Sequence, residues 1–168
     1  MIKPFLMMSG VGLSTLVGVY FADRLARRCR LLEEAAHICR TLRFCGQTDA
    51  RPMESCLLEL APSLPLCQSF LETYAENAAQ SDAWFVAFDD VIGKKRRYYG
   101  ATREDCAVMR RIGAAAGGFL SAREAALSNL AEELERLLCT AREKQSRCGA
   151  TYAKLGLIAG CAIALVLW

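Results

Sequence analysis

The residues able to do chemistry in this chain are scattered rather than gathered. Nine cysteines stand at positions 29, 39, 45, 56, 67, 106, 139, 148 and 161, beside a single histidine, His37. Zinc and iron–sulfur sites need clustered ligands at short spacings, and no Cys-x-x-Cys pair occurs. An odd number cannot all pair, and a disulfide framework needs an oxidising compartment. The cysteines therefore read as reduced, small apolar side chains, and His37 as a helix-surface residue. Glu34-x-x-His37 occurs once, whereas a di-iron bundle needs two such motifs and further carboxylates. Glu33/Glu34 and Asp89/Asp90 are sequence neighbours, so on a helix they diverge. No glycine-rich loop ends in Gly-Lys-Ser/Thr, and one histidine cannot be matched to a serine nucleophile and an aspartate. The reading is a protein that is not an enzyme and needs no cofactor or metal. Its alternative is a membrane-tethered metal or redox protein that uses the cysteines.

Two patterns read as recognition instead. Gly10, Ser14, Gly18 and Ala22 recur every four residues, and Gly156, Gly160 and Ala164 do the same. Small residues at this spacing let helix backbones approach closely within lipid. The other pattern is Lys94, Lys95, Arg96, Arg97, Tyr98 and Tyr99, a basic loop bounded by Gly93 and Gly100. It could dock anionic headgroups or an acidic partner face.

The elements that must carry these residues are helical. Ser121 and Glu124 have the spacing of a capping box, and Leu127, Leu130, Leu134, Leu137 and Ala141 then share one face. Leu155–Trp168 follows without a charge, as an anchor continuous or nearly so with that helix. The other end mirrors it. Phe5–Ala22 is 18 residues without a charge, about 27 Å as a helix and just enough for a bilayer core. Leu25, Cys29, Leu32, Ala36, Cys39 and Leu42 then continue on one stripe. Between the ends, Pro52 opens a helix with Met53, Cys56, Leu57 and Leu60 inward. Pro65 precedes one with Leu66, Phe70, Leu71 and Tyr74 inward. Ser81 or Asp82 caps one with Trp84, Phe85, Phe88, Val91 and Ile92 inward. Thr102 with Asp105 resembles an N-cap, followed by Cys106, Met109 and Ile112. No alternating strand pattern competes.

The expected fold is all-α: an antiparallel bundle of about six helices flanked by N- and C-terminal transmembrane helices. The expected divisions are an anchor at 1–22, a cytoplasmic bundle at 23–151 and an anchor at 152–168. The second anchor spans only if Tyr152 and Ala153 are included and Lys154 snorkels, or if the bilayer thins. Arg24, Arg27, Arg28 and Arg30 follow the first span, and Arg142, Lys144, Arg147 and Lys154 precede the second. Cytoplasmic flanks are enriched in Lys and Arg, so the bundle should face the cytoplasm. With 21 Lys and Arg against 18 Asp and Glu, the positive excess is too small to imply nucleic acid.

In order along the chain, several segments resemble the stage III sporulation protein AB family, whose soluble domain is similar to the cytoplasmic domains of the type II secretion platform protein F. They are Leu16-Val-Gly-Val-Tyr-Phe, the helix to Leu42-Arg-Phe, Asp49-Ala-Arg-Pro-Met-Glu-Ser-Cys-Leu, Trp84, Ile112-Gly113…Gly117 with Ser121, and Tyr152-Ala-Lys-Leu-Gly156-Leu-Ile-Ala-Gly160. Two positions depart from the family pattern: Arg43 stands for an acidic residue, and Arg123-Glu124 for a glutamine after Ser121. The resemblance implies a non-enzymatic platform subunit of a secretion-like or channel-like complex in the mother-cell membrane around the forespore. It implies a cytoplasmic ATPase, other membrane subunits and lipid as partners, and a homo-oligomer is compatible with it.

Overall fold

A computed structural model describes residues 2–48, 52–80, 82–116 and 120–167, and over these residues it is helical without a strand. Side chains 2–11 and a few later ones in the terminal helices are not among those described. The element order is α1 (Ile2–Thr48), α2 (Met53–Leu60), a 3₁₀ turn (Ala61–Ser63), α3 (Gln68–Glu76), α4 (Ala83–Ala87), a π-helical turn (Phe88–Gly93), α5 (Arg96–Tyr99), α6 (Arg103–Ala116) and α7 (Leu120–Leu167). The chain divides into two compact units. One is Arg28–Cys139, and the other combines Met1–Arg27 with Thr140–Trp168.

In the Arg28–Cys139 unit, α1 is the central helix. The periodicity reading gives it one apolar stripe; the structure buries Leu31, Leu32, Ala35, Ala36, Ile38, Cys39 and Leu42. Only a narrow ridge at Arg30, Glu33, His37 and Arg40 stays exposed. A helix buried over most of its circumference must be surrounded by neighbours. The same unit also buries Leu57 of α2, Phe70 and Leu71 of α3, Ile112 of α6, and Leu127 and Leu134 of α7, all almost fully. Helices α1 and α7 run antiparallel here, since Arg40 pairs with Glu135 and Arg43 with Glu124.

Two polar devices fix the register of this core. Asp105 and Thr102 form a reciprocal capping box at the start of α6, with Asp105 Oδ2 accepting from Thr102 N–H at 2.8 Å and Thr102 Oγ1 accepting from Asp105 N–H at 3.1 Å. The buried carboxylate also receives a two-pronged donation from Arg28, at 2.8 and 2.9 Å. The second device serves α3, which has no local side-chain cap. Glu34 of α1 accepts instead from the backbone N–H of Leu66 at 3.0 Å and of Cys67 at 2.8 Å. The carboxylate holds the Leu66 N–H, shares the Cys67 N–H with the Leu64 carbonyl at 3.1 Å, and complements the helix dipole.

Aromatic packing holds α3, α4 and the π turn together. Phe70 meets Trp84 edge-on with ring centroids 4.8 Å apart, and Tyr74 meets Trp84 at 5.5 Å. Trp84 lies so close over α6 that a Cβ at Gly113 would collide with its ring.

The other unit is an antiparallel helix pair made from the terminal parts of α1 and α7. Ser14 Oγ donates to the carbonyl of Gly156 at 2.5 Å, and Phe21 lies 6.0 Å from Tyr152, ring to ring. The expected flanking transmembrane helices need correction at this point. Among the described residues, no helix is long and apolar enough to cross a membrane. Described side chains of the first uncharged run begin only at Gly12, and Asp23 and Arg24 follow Ala22 directly.

Candidate functional site

The segment Lys94–Tyr99 is not the loop that its glycine borders suggest. The π turn before it closes with Lys94 N–H donating to the Asp89 carbonyl at 3.2 Å, a five-residue reach. This wider turn leaves Phe88, Val91 and Ile92 buried while Asp89, Asp90 and Lys94 face out. Arg96–Tyr99 then forms the single turn α5, and Gly100 at φ 69° turns the chain toward α6. A left-handed φ of this kind favours glycine.

The six residues of the segment separate by face. Tyr99 is buried, and its hydroxyl donates to the Leu66 carbonyl at 3.4 Å. Burial pushes its phenol above the ordinary tyrosine range, so Tyr99 anchors the turn instead of presenting a surface. Tyr98 and Lys95 are exposed. Lys94, Arg96 and Arg97 line a groove of about 730 Å³.

That groove runs between the α4–π segment and α6. Its floor is apolar, with Phe85, Phe88, Ala107 and Ala114. Its rim carries Lys94, Arg96, Arg97, Arg103, Arg110 and Arg111, with Asp89 as the one acid. Arg110 reaches Asp89 at 3.1 Å and lies 5.5 Å above the Phe85 ring. Arg111 reaches Glu133 at 3.1 Å, and Lys94 pairs with Asp90 one helical turn back. Among the described residues no carboxylate pairs with Arg96, Arg97 or Arg103.

Half of this rim lies outside the segment picked out by sequence. Arg103, Ala107, Arg110, Arg111 and Ala114 follow one another at spacings of one to four along α6, on the face opposite Val108, Met109 and Ile112. The signal was present as a basic outer face on an amphipathic helix. What no local pattern supplies is that α5 folds back beside it.

Other groups fill structural roles. The Asp105 carboxyl is pushed up by burial, but the Arg28 donors, the Thr102 N–H and the Arg28 charge outweigh this and hold it below the ordinary carboxylate range. The thiol of Cys39 is pushed up to about 12 by burial, and that of Cys67 is pushed well up by burial and by Glu34. Both are neutral thiols at physiological pH and poor nucleophiles. All nine cysteines are free. Among the described residues, no three His, Cys, Asp or Glu side chains gather where they could hold a metal ion.

In the terminal helix pair, the structure brings Ser14, Gly18 and Gly156 together. A Cβ on Gly18 would stand 2.5 Å from the Tyr152 carbonyl, and one on Gly156 would stand 2.7 Å from the Ser14 carbonyl. Gly160 is buried, and Gly10 lies in α1 outside the described side chains.

The model of one protein family, stage III sporulation protein AB, matches residues 5–168. The chain belongs to this family. It is thereby a stage III sporulation protein. No curated protein and no solved structure matches it. In this member of the stage III sporulation protein AB family, α1 and α7 meet where Arg43 Nε lies 3.5 Å from Glu124 Oε1. The neighbouring Arg123 donates to the Leu42 carbonyl at 3.0 Å.

Proposed function

We propose that the protein is a non-enzymatic platform subunit of a secretion-like channel complex acting between mother cell and forespore. In this reading it lies in the membrane around the forespore, with the Arg28–Cys139 bundle facing the mother-cell cytoplasm. The bundle couples a cytoplasmic ATPase of the same complex to membrane subunits. The observation that carries the membrane part is the terminal helix pair. Its described surface exposes Leu13 and Leu16 at 66%, Ile158 at 62% and Leu165 at 78%. Large apolar side chains exposed together in this way mark a surface that is covered by lipid or protein. The small residues Ser14, Gly18 and Gly156 support close helix packing within lipid. Family membership supports the setting in sporulation.

The test is flotation and co-purification from sporulating cells. The full chain should float with membranes and retain the ATPase. A chain lacking the last 14 residues, Leu155–Trp168, should float less but still bind the ATPase. Recovery of the intact full chain in the supernatant, without detergent, would sink the membrane reading. Failure of the ATPase to co-purify would sink the coupling.

A further inference from the structure

We propose that the groove between the α4–π segment and α6 is a docking site for an acidic amphipathic peptide segment of a partner protein. The proposal deepens the adaptor reading and rests on it for the existence of a partner. Charge complementarity selects the occupant. The rim places six cations around one acid, and three of them, Arg96, Arg97 and Arg103, have no carboxylate partner among the described residues. Arginine presents a planar fork that matches a carboxylate. Between the cations lies a floor of Phe85, Phe88, Ala107 and Ala114, which calls for apolar side chains. Arg103 and Arg110 stand seven residues apart on α6, about 10.5 Å along the axis. A partner helix meets that spacing with acidic residues two turns apart and a Leu or Phe between them, the helix-in-groove mode. Arginine also suits a phosphoryl group, but such a group is compact and leaves the apolar floor uncovered. Here the cations are spread along the rim and, apart from half-buried Arg96, exposed.

The experiment uses the purified full chain in neutral detergent. The probe is a fluorescein-labelled helical peptide with Leu and Trp on one stripe and glutamates on both sides. A Gln-for-Glu counterpart and a scrambled peptide serve as controls. The acidic peptide should bind and weaken as salt rises. Arg97→Glu with Arg103→Glu should weaken it by about tenfold or more. Ala114→Gln removes no cation and sits at an exposed helix position; by filling the floor it should also weaken binding. Lys144→Glu, at an exposed position in the other unit, should leave it unchanged. No binding, equal binding of the scrambled peptide, or indifference to Ala114→Gln overturns the proposal. So does binding of pyrophosphate or phosphatidylglycerol micelles, with the same dependence on Arg97 and Arg103, where the peptide fails. ATPase co-purifying undiminished with the Arg97/Arg103 variant overturns the groove while leaving the adaptor reading standing. ATPase absent from the unsubstituted chain overturns the adaptor reading while peptide binding is still read.

Discussion

Arg28 and Asp105 show how single residues bear on this core. The aspartate is fully buried and the arginine nearly so, and the carboxylate also caps α6. Removing one charge strands the other, which costs about 3–5 kcal/mol, whereas replacing both by apolar groups is far milder. Arg28→Met should therefore destabilise strongly in urea unfolding. Adding Asp105→Leu should restore part of that loss, though not the part due to the cap. Because the Asp105 carboxyl is held below its ordinary value, its contribution is fully present above the unfolded pKa of about 3.9. It is lost as pH falls through the lower folded value. Stability measured from neutral pH downward should drop in the acid range, and the drop should be smaller in Asp105→Asn. Glycines give a second residue-scale test in which the sign is decided by space. In a helix interior, Gly→Ala gains roughly 0.5–1 kcal/mol. At Gly149 a Cβ would meet only Gln145 Cγ at 3.9 Å, so Gly149→Ala should stabilise. At Gly113 it would collide with Trp84, and overpacking costs about 1–3 kcal/mol. Gly113→Ala should thus lower the melting temperature despite its better helix propensity.

Among the elements, α3 owes its start to another helix. Glu34 supplies the cap that the local sequence lacks. Glu34→Gln keeps the shape but removes the charge and turns one acceptor into a donor facing two N–H groups. A lost cap costs about 0.5–2 kcal/mol, so urea unfolding should show a loss of that order, with hydrogen exchange quickening first at Leu66–Leu71. Such a cap cannot be read in sequence, because its partners are 32 and 33 residues apart. The Thr102/Asp105 box was legible because both halves lie within four residues. The apolar stripes of α2, α3, α6 and α7 were legible for the same reason. The burial of α1 over most of its circumference in the Arg28–Cys139 unit was not: periodicity records the stripe on one helix, not how many helices surround it. Nor was the π turn, which shifts the register at Asp89 and converts a basic loop into a groove wall. At the candidate site, the basic run supplies Lys94, Arg96 and Arg97 to the groove. Its Tyr99 is buried instead of exposed, and Arg103, Arg110 and Arg111 join the groove from α6, outside the run.

For the molecule as a whole, two properties of the terminal helix pair can be separated: its close packing and its exposed apolar face. Packing depends on Gly18 and Gly156, where any side chain would press on the opposite backbone. Attachment to a membrane depends on residues such as Leu16 and Ile158, which point away from that contact and are mostly exposed. Cysteines placed at Phe21 and Tyr152, whose rings adjoin, report on packing when oxidised, and flotation reports on attachment. Gly18→Leu should abolish cross-linking while the chain still floats, because it adds apolar surface and no charge. Leu16→Lys with Ile158→Lys should do the reverse. Each lysine deep in a bilayer costs about 2.5–3.5 kcal/mol, enough to shift the chain toward the soluble fraction, while the contact between the glycines is untouched. If the double-lysine chain floats as well as the unsubstituted one, the exposed leucines and isoleucine are not in lipid. Their cover must then be sought in a protein partner.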